Sequence, residues 1–136
     1  MARPEDIAAL VREMYAARRL NTRDAVERYF DPDIAFRVAG SGLLHPMTAP
    51  IRGAEAMLGA LDSLLSTWDW SGFGITSVNV DGDKAFVHLA GKIRHLPSGT
   101  LIDTEILDVL TYKDGRIIAF TEFLDTQLVA KTLGLA

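Results

Sequence analysis

The chain has no cysteine among its 136 residues, which removes disulfides, thiolate nucleophiles, iron–sulfur clusters and thiolate zinc sites together. Histidine is scarce: His45, His88 and His95 are scattered without ligand spacing, so no metal is expected. No apolar run approaches the roughly 20 residues that a membrane span needs. The start, Met1-Ala2-Arg3-Pro4-Glu5-Asp6, lacks the apolar stretch of a secretory signal, so a cytoplasmic location and no membrane partner are expected. Positive charge is in deficit, with 14 Lys and Arg against 18 Asp and Glu and a net charge of −4. Phosphate-backbone binding relies on the opposite balance, so nucleic acid is not an expected partner. The basic cluster of Arg12, Arg18 and Arg19 reads as the solvated side of a helix. No glycine-rich phosphate loop, serine-centred nucleophile elbow, internal repeat or linker is visible, and no cofactor is expected.

What is present is an ordinary globular composition, 49% hydrophobic and 24% charged, which suits one domain over residues 1–136. Pro4, Glu5 and Asp6 favour a helix start, since proline fits the first turn and acids favour the positive dipole end. Ile7, Leu10, Val11, Met14 and Tyr15 then recur with helical spacing. A short second helix is predicted from Thr22 to Asp31-Pro32, presenting Val26, Tyr29 and Phe30, and Ile34, Phe36 and Val38 alternate as a strand. Residues 39–50 form a glycine- and proline-bearing loop placed to close a pocket mouth. A third helix follows Gly53, with Leu58, Leu61, Leu65 and Trp68 as its stripe and Met57 and Leu64 alongside.

Beyond that helix the period switches to two. Strands at Phe73–Val80, Lys84–His95, Leu101–Tyr112 and Arg116–Leu124 are separated by Asp81-Gly82-Asp83, Pro97-Ser98-Gly99 and Asp114-Gly115. Such short connections imply antiparallel neighbours. A last short helix starts at Thr126. Helices followed by a meander make the fold α+β. Ala85, Val87 and Leu89 with Phe86 put apolar residues on both strand faces, more than one helical layer covers, so a homodimer through the sheet's outer face is expected.

Two acids interrupt apolar stripes. The even positions of the strand at Leu101–Tyr112 read Ile102, Thr104, Ile106, Asp108, Leu110, Tyr112, and those of the last strand read Ile118, Phe120, Glu122, Leu124. Pairing about the Asp114-Gly115 turn puts Asp108 and Glu122 on the same side, one to two registers apart. Desolvation raises a carboxyl pKa, and a second carboxyl raises one of the two further. A protonated acid can donate to a substrate oxygen while an ionised one accepts a proton. The structural alternative is that these acids pair with Arg37, Arg52 or Arg94. Trp68 and Phe36 suit the walls of a pocket for a small apolar ligand. His88 is a further candidate for that pocket, although it shares parity with Lys84, Lys92 and Arg94 and so reads towards the surface or a dimer interface.

The strings Tyr29-Phe30-Asp31-Pro32-Asp33-Ile34, Ile51-Arg52-Gly53-Ala54-Glu55-Ala56, and Asp114-Gly115-Arg116-Ile117 leading into Phe120-Thr121-Glu122-Phe123-Leu124-Asp125 give the chain its family likeness. In this order the sequence resembles the nuclear transport factor 2-like superfamily, within it the SnoaL-like polyketide cyclase and ketosteroid isomerase group. The resemblance implies three N-terminal helices on a strongly curved, mostly antiparallel sheet, a cone-shaped, cystatin-like α+β barrel around a small-molecule pocket. It also implies cofactor-independent acid–base catalysis of isomerase, cyclase, dehydratase or hydrolase type. Because the superfamily includes binding modules, a non-catalytic ligand-binding or accessory protein is the alternative. Tyr15-Ala16-Ala17 resembles the stretch holding the isomerase's oxyanion tyrosine, and Asp108 falls near its protonated, oxygen-donating aspartate. The isomerase's base belongs at the end of the first strand, where this chain has Val38 and Ala39. Glu122 resembles the last-strand acid of the epoxide hydrolase branch, whose Arg-x-Asp is replaced here by His88-Leu89-Ala90. The catalytic candidates are therefore Glu122, Asp108 and Tyr15.

Overall fold

In the computed structural model, residues 3–19 and 23–135 are described, and they form four α-helices and one six-stranded sheet. Helices α1 (Pro4–Arg18) and α2 (Arg23–Glu27) lead into β1 (Phe30–Val38). A 3-10 turn at Gly42–Leu44 and the two-residue β2 (Ile51–Arg52) precede α3 (Ala54–Thr67). The meander β3 (Trp68–Asp81), β4 (Lys84–His95), β5 (Leu101–Lys113) and β6 (Arg116–Leu124) follows, and α4 (Thr126–Thr132) comes last.

The sheet order is β2-β1-β6-β5-β4-β3, with β2 and β3 at open edges, so the barrel implied by the resemblance does not close. Helices fill the gap instead: α3 touches both β1 and β3, and α1 crosses β3 and β4. The first three helices are not consecutive in the chain, because β1 and β2 intervene before α3. All strand pairs are antiparallel except β1 with β6. One apolar core lies between helices and sheet, with Val11, Met14, Ile34, Leu58, Val87 and Leu110 deepest.

Three departures from simple alternation explain where the expected elements shift. Phe30 and Pro32 belong to β1, not to the end of α2, whose expected start at Thr22 lies outside the described residues. Phe30 pairs with Ile117 of β6, and the register slips before Ala35, a bulge that accommodates the missing N–H of Pro32. Strand β3 begins at Trp68 and not at Phe73, and Trp68 is its first residue instead of the last turn of α3. Register slips against β4 after Asp69 and after Ile75 reverse the parity twice, so Trp68 and Trp70, then Phe73 and Ile75, then Val78 and Val80 join the core. Gly91 makes the first slip possible: at φ 138°, a Cβ there would lie 2.1 Å from the Gly72 carbonyl oxygen.

The third departure lies in the β5–β6 hairpin. Tyr112 pairs with Ile117 but Thr111 with Ala119, leaving Ile118 as the extra residue. Ile117, not Ile118, is therefore the fully buried side chain, and the expected parity resumes at Phe120.

Candidate functional site

Beyond that bulge, Asp108 and Glu122 are direct partners across β5 and β6, not one to two registers apart. Directly opposed side chains have Cβ atoms about 5 Å from each other. Both acids are buried, at 1% and 6% exposure. Helix α1 lays Tyr15 over them from the other side of the core, and the Tyr15 hydroxyl donates a hydrogen bond to Asp108 Oδ2. The three catalytic candidates form one cluster.

Its electrostatics are asymmetric. Burial first, and then the charge and proximity of Glu122, push the Asp108 carboxyl well above the usual range; the Tyr15 hydrogen bond and the charge of Arg18 pull it down less strongly. Burial and Asp108 likewise push the Tyr15 hydroxyl well above its ordinary value. Asp108 is therefore held towards its protonated form. With Oδ2 accepting from Tyr15, the proton belongs on Oδ1. A hydrogen bond with Glu122 is among the causes that raise Asp108, and no protein donor meets Oδ1. A proton shared between two buried carboxyls can be redirected to a ligand oxygen in the cavity.

The cluster faces a cavity of about 440 Å3 whose walls include Tyr15, Asp108, Glu122, Trp70 and Phe73. A second cavity of about 570 Å3 is lined mainly by apolar side chains, among them Phe36, Trp68, Leu61, Ile102 and Phe120. The two share Arg18, Trp70, Ile106 and Glu122, so they meet at Glu122. Trp68 stacks on His95 with ring centroids 4.7 Å apart, and Phe36 packs edge-on to Phe120 at 5.1 Å. The loop over residues 39–50 borders the second cavity through Leu44, His45, Pro46 and Met47, while Leu43 points outward.

His88 is not brought to the site. It lies on the sheet's outer face, where Thr76 meets its Nδ1 and Glu105 Oε1 lies 2.7 Å from its Nε2. Its parity opposes that of Val87 and Leu89, whose side chains face the core. The arginines considered as structural partners for the acids are elsewhere too: Arg37, Arg52 and Arg94 are exposed, and Arg94 donates to the Gly99 carbonyl. Arg18 is the cation near the acids instead, with its guanidinium 5.2 Å from the Tyr15 ring centre.

Arg12, Arg18 and Arg19 extend the sequence reading: Arg12 and Arg19 are exposed, as expected of a solvated helix side, and Arg18 is half-buried. All three line the smaller cavity, and Arg19 donates to the Phe73 carbonyl at 2.7 Å across the gap from α1 to β3. Their sign was visible in the sequence as a basic cluster flanking Tyr15 on one helix. The short α1–β3 approach that turns them towards a cavity was not. Among the described residues, no group of three or more His, Cys, Asp or Glu is placed to hold a metal ion, and no helix is long and apolar enough to cross a membrane.

Residues 11–120 match the family model of the SnoaL-like domain. The chain belongs to the SnoaL-like domain family, within the nuclear transport factor 2-like superfamily. Solved structures agree on the fold. A Bacillus subtilis protein provisionally called an isomerase superposes with a TM-score of 0.83 at 16% identity, covering 97% of this chain and 95% of its own. A Jannaschia sp. CCS1 protein provisionally called a SnoaL-like polyketide cyclase gives 0.78 at 16% identity, covering 95% and 94%. TerC, co-crystallised with polyporic acid, gives 0.81 at 14% identity, covering 95% and 98%. No curated protein sequence matches the chain. At these identities the likeness establishes the fold of this SnoaL-like protein, and the chemistry rests on its own side chains.

Proposed function

We propose that this SnoaL-like protein catalyses cofactor-independent proton transfer, of isomerase or cyclase type, on a small, mostly apolar molecule bearing a carbonyl oxygen. The observation that carries this reading is the buried Tyr15–Asp108–Glu122 cluster in a cavity wall, with Asp108 between the Tyr15 hydroxyl and its cross-strand partner Glu122. Glu122 removes a proton from the carbon next to the carbonyl. As negative charge moves onto the oxygen, the Asp108 proton hydrogen-bonds to it, and the Tyr15 hydroxyl holds the other Asp108 oxygen in place. The proton then returns from Glu122 to a different carbon, which is isomerisation. In a cyclisation, the carbanion attacks a second carbonyl carbon and the resulting alkoxide takes the proton. Neither route consumes a co-reactant.

The register of β1 supports Glu122 as the base. Val38 stands where the isomerase resemblance puts that base, and the residue paired with Val38 across the parallel β1–β6 ladder is Glu122. The acid is thus one strand over from the expected position. The larger apolar cavity favours a second reading, a non-catalytic ligand-binding or accessory protein. We also propose a homodimer through the outer sheet face, where Leu107 and Phe123, direct cross-strand partners, are 38% and 43% exposed.

The test is a turnover screen over β,γ-unsaturated ketones and 1,3-diketones, followed by ultraviolet absorbance, with wild type and Glu122→Gln. Turnover by wild type that falls about 100-fold or more in the variant is expected for a lost general base. Equal rates for the two proteins would remove Glu122 from the chemistry, and ligand binding without turnover would favour the accessory reading.

A further inference from the structure

The smaller cavity carries a charge that opposes the rest of the molecule. The protein's net charge is −4, yet Arg12, Arg18 and Arg19 all line this one cavity. Among the described residues, no carboxylate lies within ion-pair distance of any of the three guanidiniums. The acids in the wall do not cancel them. Even with both ionised, Asp108 and Glu122 supply two negative charges against three positive ones. Arginine is the side chain best matched to a carboxylate, because its planar fork donates two parallel hydrogen bonds.

Position adds to charge. Arg18 lines both cavities and sits against Tyr15. Arg19 is fixed by its bond to the Phe73 carbonyl. Arg12 is exposed at the mouth, two helical turns before Arg19 on the same face. Arg19 also serves the structure through the Phe73 carbonyl and Arg18 through the Tyr15 ring, but among the described residues neither these two nor Arg12 has its charge matched by a carboxylate. The second cavity, reached past Glu122 and Trp70, is walled by aromatic and aliphatic residues. One site thus offers a cationic chamber, a proton-transfer pair and an apolar chamber in sequence.

We propose that the natural ligand is an apolar oxo acid, whose carboxylate is held by Arg18 and Arg12 in the smaller cavity and whose apolar body fills the larger one. This deepens the acid–base reading and rests on it only for the carbonyl: the carboxylate is read by the arginines, the carbonyl by Asp108, and the carbon skeleton by the walls around Trp68 and Phe36. Low salt should favour binding, because the arginine rim is partly exposed and screened.

The experiment uses matched probes and binding alone, so that it can fail separately from the catalytic reading. Isothermal titration calorimetry compares 1-naphthylacetate with 1-naphthylacetamide, which differ only in the charged head. Wild type should bind the carboxylate at least about tenfold more tightly than the amide, a difference of about 1.4 kcal/mol. Arg18→Gln should abolish that preference and Arg12→Gln should reduce it, the ratio of the two affinities being read within each variant. Glu122→Gln should keep or increase the preference, since it removes a negative charge from the wall. Equal binding of the two probes by wild type, or a preference that survives Arg18→Gln, overturns the proposal while leaving proton transfer intact. Failure of wild type to bind either probe below millimolar concentration overturns it as well.

Discussion

Replacing Asp108 with Asn tests the protonation state on which the site depends. Asn keeps the shape and can still accept from Tyr15, but has no proton to lose. In wild type the folded protein retains the Asp108 proton, whereas the unfolded chain releases it above about pH 4. The folded state therefore holds one more proton than the unfolded state. Stability from this group is complete below the unfolded value and falls as pH rises towards the folded one, by about 1.4 kcal/mol per pH unit. From pH 5 to pH 7 wild type should therefore lose stability relative to Asp108→Asn, by at most about 3 kcal/mol, the ceiling for one proton over two pH units. Urea melts of both proteins at pH 5, 6 and 7 measure this difference, and titrating groups away from the Asp108–Glu122 pair cancel in the comparison. Were Asp108 an ionised partner of Arg18, the substitution would instead cost roughly 3–5 kcal/mol at pH 7. That result, or a difference that does not change with pH, would refute the assignment of the proton.

Tyr15→Phe removes the donor to Asp108 Oδ2 and leaves a buried acceptor unpaired, so a loss of about 1–3 kcal/mol is expected in urea melts at pH 7. No loss would mean that the hydrogen bond does not form. Gly91→Ala places a methyl group 2.1 Å from the Gly72 carbonyl oxygen at a positive φ, and should cost at least about 1–3 kcal/mol; a neutral outcome would deny the bulge. Sedimentation equilibrium should find a dimer that Phe123→Glu converts to monomer, and a monomeric wild type would exclude the outer-face interface.

The sequence showed the site better than it showed the sheet's edges. Asp108 and Glu122 were legible because an acid in a period-two apolar stripe is conspicuous, and the hairpin turn at Asp114-Gly115 brings them to one side. Their direct opposition was not, because it depends on the bulge at Ile118, and a bulge leaves no periodic trace. The same limit hid the start of β3, whose two slips break the alternation between Trp70 and Val78. Arg12, Arg18 and Arg19 were visible as charge, but a helix pattern cannot tell a solvated face from one that rims a cavity. His88 went the other way: its parity already placed it outside, and Thr76 and Glu105 hold it there.

The central claim is that Glu122 moves a proton at carbon beside a carbonyl oxygen held by Asp108. Proton NMR in heavy water, following loss of the α-proton signals of cyclic ketones and oxo acids, measures that step without requiring the full reaction. The account predicts exchange above the buffer rate with wild type and a rate about 100-fold lower or less with Glu122→Gln. Exchange at the same rate with both proteins, or at the buffer rate with wild type across the panel, would contradict it.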